Sequence, residues 1–278
     1  MLAVCALDSS APPTTDRGVE IGEGVSLDWI EFSVPAPLDV VKTRLETADE
    51  CVPLPHGSLG YAHAEVGHRG VMLFWDEDRP EVHVRMSGVV AAQFWEAEAL
   101  SVLAWVLEMR GGFSRLDLQA TVSYDLATVV GVRAAFDRRE AVTHCRKAVQ
   151  IEAFDPHGAP LPSDEAGMSL YLGATSSDRR LRIYDKGAQS AGQISGTRFE
   201  LQERNKYADE AARQLVAAGA VTPVMRGRLV GFVDFRLGDG DVDSRERACG
   251  TRGWSGRLRR CAPCLRRPAE RSRRRLIR

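Results

Sequence analysis

Lysine is almost missing from this chain of 278 residues, which holds 4 lysines against 33 arginines. That bias points to a GC-rich coding sequence. No apolar run approaches the roughly 18 residues of a membrane span. The first residues, MLAVCALDSSAPPTTDRG, lack a basic start and a full apolar core, so no signal peptide is expected. No histidine–x–histidine pair occurs. His56, His63, His68, His83, His144 and His157 are isolated, which excludes a chelate built on such a pair and favours solvated or structural roles. No phosphate-binding P-loop is present, so nucleotide-driven unwinding is not expected of this chain. Six scattered cysteines without an export signal read as reduced thiols. Cys261 and Cys264 have metal-ligand spacing, but only Cys249 lies near them and no histidine, so a four-ligand zinc site is incomplete.

What is there is ordinary in bulk: 44% apolar and 27% charged residues, enough chain for one large domain or two small ones. The net charge of −1 conceals a split. Residues 238–278 hold thirteen arginines against five acids, or +8, and residues 1–237 hold 24 basic against 33 acidic residues, or −9. An acidic body excludes a general cationic surface for nucleic acid, so any such contact needs a local basic strip.

Hydrophobic periodicity gives a strand at Leu27–Ser33, a helix at Pro37–Ala48, strands near Gly60–Val66, Gly70–Trp75 and Glu81–Met86, and a long helix, Val89–Arg110, stopped by Gly111 and Gly112. The order then repeats: a strand at Phe113–Tyr124, a helix within Leu126–Lys147, strands near Ala148–Phe154, Met168–Gly173, Arg180–Lys186 and Thr197–Arg204, and a helix at Lys206–Ala218. The expected fold is α+β. Two pseudo-repeated βαβββα halves form a mainly antiparallel curved sheet, with helices on one face and the other face open. Residues 1–24 read as a flexible lead-in, 25–237 as the folded domain and 238–278 as a disordered arginine-rich tail. The tail is either a nucleic-acid-binding arm or an out-of-frame end of GC-rich coding sequence.

The most informative stretch is GMSLYLGATSSDRRLRIYDKGAQSAGQISGTRFELQER, from Gly167 to Arg204. A period of two sends Arg182, Tyr184 and Lys186 to one face of one strand, and Arg198, Glu200 and Gln202 to one face of the next. If the two strands pair, a tyrosine, a carboxylate and several cations share a patch. That set suits attack on a phosphodiester: an oxygen nucleophile, cations for the developing charge and a carboxylate for a metal or a proton. Upstream, Asp117 lies between Leu116 and Leu118 on a strand of its own. A carboxylate so placed is costly unless paired, for example with Arg115, or bound to a metal. Ser176 and Ser177 mark a turn that could also touch phosphate.

The runs YLGATSSDRRLRIYDKG and TRFELQER, with SRLDLQATVSYD, VSLDWIEFSV and VHVRMSG upstream, resemble the replication initiation factor family. That family takes in rolling-circle plasmid initiators, phage replication proteins and relaxases of some conjugative elements. The resemblance implies a bacterial cytoplasmic enzyme that nicks and rejoins one DNA strand through a tyrosine linked to the 5′ phosphate, with Mg²⁺ or Mn²⁺. Its expected catalytic groups are Tyr184, Arg182 and Lys186, with Tyr171 as the rival that inherits the role if Tyr184 is buried. The expected metal ligands are Asp117 and Glu200. Arg179, Arg180, Arg198, Arg204, Ser176 and Ser177 are the expected DNA contacts. Implied partners are origin DNA, as a hairpin or a single-stranded nick site, a separate helicase and a second copy of the chain. Two other readings stay open: a non-catalytic DNA-binding relative on the same fold, and a metal-dependent nuclease that hydrolyses without a covalent link.

Overall fold

The computed structural model describes residues 24–47, 51–153 and 167–235. The expected lead-in and tail therefore lie outside the described residues, apart from Gly24. The first half runs β1 (Val25–Val34), α1 (Leu38–Arg44), β2 (Val52–Pro53), β3 (His63–Val66), β4 (Met72–Trp75), β5 (Val82–Met86), α2 (Gly88–Ala91) and α3 (Glu96–Glu108). The second runs β6 (Gly112–Val122), α4 (Val129–Asp137), β7 (Ala141–Thr143), β8 (Ala148–Glu152), β9 (Met168–Leu172), β10 (Arg179–Asp185), α5 (Lys186–Gln189), β11 (Thr197–Arg204), α6 (Lys206–Ala218), α7 (Val221–Phe232) and β12 (Val233–Phe235).

Ten strands form one sheet in the order β2-β3-β4-β5-β1-β6-β11-β10-β9-β8, and every neighbouring pair is antiparallel. Outward from the β1–β6 seam the two sides match: β1, β5, β4, β3, β2 against β6, β11, β10, β9, β8. The repeat read from the sequence is thus a repeat of sheet order, joined at its two founding strands.

Alternation divides the sheet faces. Ile30, Phe32, Leu116, Leu118, Leu181, Ile183, Phe199 and Leu201 are buried on one face in the core. The helices bury matching stripes: Ala99, Val102, Leu103 and Val106 of α3, and Ala208, Ala211, Ala212 and Leu215 of α6, at the three- and four-residue spacing of one helical face.

Two helical expectations need correction. The single helix expected at Val89–Arg110 is two. Trp95 takes an extended backbone, its N–H donates to the Glu98 carboxylate, and a new helix starts at Glu96. The break tucks Phe94 into the core under Arg69, whose guanidinium lies 4.9 Å from the ring centre, and leaves Trp95 82% exposed. Helix α7, which the sequence reading left out, carries Pro223 in its first turn, where a missing N–H costs nothing.

One charged group crosses into the helix layer. Glu203 of β11 is fully buried and held by Arg228 of α7 and by Arg179, whose Nε lies 2.7 Å from it. Arg228 also donates to Gln214 and to the Tyr207 carbonyl. This cluster ties α7 and α6 to the sheet.

Candidate active site

Strand β11 pairs with β10 on one side and β6 on the other, so residues of the open face fall into rows. Arg182, Glu200 and Gln119 form one row, Tyr184, Arg198 and Thr121 the next, and Arg180, Gln202 and Asp117 a third. Tyr171 extends the first row beyond Arg182. Tyr184, Arg182, Arg198, Glu200 and Asp117, expected from the sequence, therefore share one patch. Tyr184 is diagonal to Glu200, a spacing of about 7–8 Å between neighbouring strands. Strand β10 ends just past it, because the Asp185 side chain accepts from Ala188 N–H and caps the short helix α5. Lys186 thus opens a helix instead of continuing the strand. Its ammonium still lies 6.0 Å from the Tyr184 ring centre.

The third carboxylate comes from an irregularity. Leu27 pairs with Leu118 and Trp29 pairs with Asp117, so β1 spends two steps where β6 spends one. This β-bulge places both Asp28 and Trp29 between the core residues Leu27 and Ile30, and it turns Asp28 to the open face. The carboxylate oxygens of Asp28, Asp117 and Glu200 lie within 4.8 Å of one another.

Cations ring this cluster. Arg115 grips Asp117 with Nε, 3.0 Å from both oxygens, and with a terminal nitrogen. Arg182 approaches Glu200 at 3.6 Å, Gln202 donates to Glu200 at 2.7 Å, and Arg198 donates to Thr121 at 2.9 Å. Burial raises the Asp117 carboxyl to about 7; Arg115 pulls it down, while Glu200 and Asp28 push it further up. Burial and Glu200 raise Asp28 too, against Arg198, Lys186 and Arg115. Burial and Arg198 lower the Lys186 ammonium. Carboxylates that hold protons this tightly are under-compensated. Three hard oxygen donors from three strands fit Mg²⁺ or Mn²⁺.

The profile of the family described as replication initiation factor matches residues 111–261, more than half of the chain. The chain belongs to that family. The fold agrees: the structure of a rolling circle replication initiator protein from Geobacillus stearothermophilus superposes with a TM-score of 0.70 at 22% identity, covering 85% of this chain and 92% of that one. No curated protein matches.

Within this family member, several expected site residues lie elsewhere. Arg179 points into the helix layer, paired with Glu203 and lying over Tyr207 and Phe232, so its charge is committed to the fold. Ser176 and Ser177 sit in the β9–β10 turn. That turn is tied to the far end of β11, where Asp178 accepts from Arg204 and Asn205, away from the Tyr184 row. Arg180 and Arg204 stay on the open face; Arg180 covers the Tyr171 ring at 4.0 Å, and Arg204 stands opposite Arg115.

Tyr184 is 4% exposed, with Arg182 4.0 Å above its ring centre, whereas Tyr171 is half-buried. Burial and Glu200 raise the Tyr184 phenol, and they outweigh Arg198 and Arg182. Arg182 and Arg198 therefore do not by themselves bring the phenol below its ordinary value. Asp28 escaped the sequence reading because strict alternation assigns it to the core side with Ile30 and Phe32. The available signal was the charge itself, an acid at a position that alternation makes apolar.

Proposed function

We propose that this initiator nicks and rejoins one DNA strand at an origin through a covalent tyrosine intermediate, starting rolling-circle replication or transfer. One observation carries the reading: Tyr184 stands diagonal to Glu200 and interacts electrostatically with Asp28, Glu200, Arg182 and Arg198, all on the open sheet face.

In this reading the Tyr184 oxygen bonds to phosphorus as the bond from phosphorus to the 3′ oxygen breaks. The phenol gives up its proton and the departing 3′ oxygen gains one. Rejoining runs the same exchange backwards. Arg182 and Arg198 hold the non-bridging oxygens and stabilise the added charge. A phosphate drawing Arg182 toward itself would lift the guanidinium from the Tyr184 ring and uncover the phenol. Asp28, Asp117 and Glu200 would hold a divalent cation, which when bound supplies positive charge to the phosphate. Origin DNA, a separate helicase and a second copy of the chain are the partners this activity calls for.

The burial of Tyr184 meets the condition under which Tyr171 inherits the role, so a second reading makes the more exposed Tyr171, covered by Arg180, the nucleophile. Labelled origin DNA on denaturing and native gels tests both. Tyr184→Phe is expected to abolish the protein-linked strand and keep the native shift, while Tyr171→Phe keeps both. The opposite pattern moves the role to Tyr171. Free nicked DNA without an adduct means hydrolysis, and a native shift alone means binding without catalysis.

A further inference from the structure

Beyond the carboxylates, the open face of the first half carries alternating cations and rings. Arg115 lies 4.2 Å from the ring centre of Trp29, and Arg85 lies 5.8 Å from the same ring on its other strand neighbour. Further out, Tyr61 stacks on His83 with ring centres 5.8 Å apart and planes at 20°, and Arg79 lies 4.6 Å from the Tyr61 ring. The two outermost rings are held in place: Trp29 Nε1 donates to Glu31 at 3.0 Å and the Tyr61 hydroxyl donates to Glu81 at 3.3 Å. Both rings are half-buried, not enclosed. The series starts at Trp29, which pairs directly with Asp117, and ends beside β3. It crosses three strand spacings, from β1 over β5 and β4 to β3, roughly 14 Å.

Arg115, Arg85 and Arg79 are each paired with an acid, Asp117, Glu31 and Asp76, but Trp29 stands outside the core cluster and its ring is not used by those pairs. Rings and guanidinium planes both receive unpaired bases, whatever their sequence. The position also sets a direction. In an in-line displacement the attacking and leaving oxygens stand on opposite sides of phosphorus. Tyr184 lies on the β10 side of the carboxylates and the ring series lies on the β1 side. The 3′ oxygen therefore departs toward Trp29.

We propose that this face holds the single-stranded DNA segment 5′ of the scissile phosphate, the segment that ends in the released 3′ hydroxyl. The surface stands on the rings and cations; the direction rests on the tyrosine reading above. Retaining that segment keeps the 3′ hydroxyl beside the phosphotyrosine for rejoining.

Two experiments on the full chain test it. A thymidine homopolymer of about twelve nucleotides carrying one 5-iododeoxyuridine is irradiated with the unmutated protein and the adducts are mapped. Adducts at Trp29 or Tyr61 are expected, and adducts confined to other regions overturn the surface. Second, an oligonucleotide spanning the mapped nick is extended by about six nucleotides on its 5′ or its 3′ side, and binding is followed by anisotropy. Tyr61→Ala should weaken the 5′-extended strand about tenfold, leave the 3′-extended strand unchanged and still nick the unextended one. Tyr61→Phe, which keeps the ring and loses only the bond to Glu81, should bind normally. Sensitivity on the 3′ side alone, with nicking intact, overturns the direction and leaves the tyrosine reading standing. Adducts at Trp29 from a protein that forms no covalent product sink the tyrosine reading and the direction with it.

Discussion

At the Asp117 carboxyl, burial, Glu200 and Asp28 outweigh Arg115 and bring the proton affinity close to neutrality, about 7. A cation entering the cluster must displace that proton. Mn²⁺ affinity measured by calorimetry is therefore expected to fall as pH drops below about 7 and to level off above it. The same shift acts on stability with the opposite sense. Between the ordinary carboxyl value of 3.8 and about 7, the folded metal-free chain holds a proton that the unfolded chain has lost, so stability declines as pH rises through that window. Asp117→Asn removes this penalty. It should melt no lower than the unmutated protein at pH 8, yet lose the rise in melting temperature that Mg²⁺ or Mn²⁺ gives the unmutated chain. Asp28→Ala should also lose that metal-dependent rise, a result that adds Asp28 to the two ligands expected from the sequence.

Individual strands and helices were more legible than their joints. Helix α6 falls on the expected Lys206–Ala218, because its alanines and leucine repeat at helical spacing and Gly219 closes it in a left-handed conformation. The faces of β10 and β11 follow from alternation alone, and with them the neighbourhood of Tyr184, Arg182 and Glu200. Irregular places were not readable. The bulge in β1 depends on pairing with β6, a partner more than eighty residues away, and no local pattern announces it. The turn at Trp95 hides inside an apolar run that suits either one helix or two. Arg179, expected as a DNA contact, instead joins Arg228 inside the fold, because charge in a sequence does not declare its face. Their union with Glu203 gives the elements a test. Arg228→Ala leaves a carboxylate buried with one partner fewer, and should cost about 3–5 kcal/mol in denaturant unfolding. The double change Arg228→Met with Glu203→Leu should recover most of that loss.

Across the whole molecule, the ten-stranded sheet takes its last strand, β11, from residues before Asn205, while β12 pairs with β7 in a separate two-stranded sheet, and the described residues contain no helix long and apolar enough to cross a membrane. A chain cut after Leu237 is expected to melt within a few degrees of the full chain; a large drop would make the remaining residues part of the fold. The cut should chiefly remove salt-sensitive, non-specific DNA affinity, seen as a shallower dependence of binding on ionic strength. Because the carboxylates come from β1, β6 and β11, on both sides of the seam, neither half owns the chemistry. That division has a consequence in time. A ribosome delivers Asp28 early, Asp117 midway and Glu200 only when most of the chain exists, and the founding strands must find each other across a long sequence separation. A growing or prematurely ended polypeptide short of β11 therefore lacks one of the three acids, and the carboxylate cluster cannot assemble before β11 has been made.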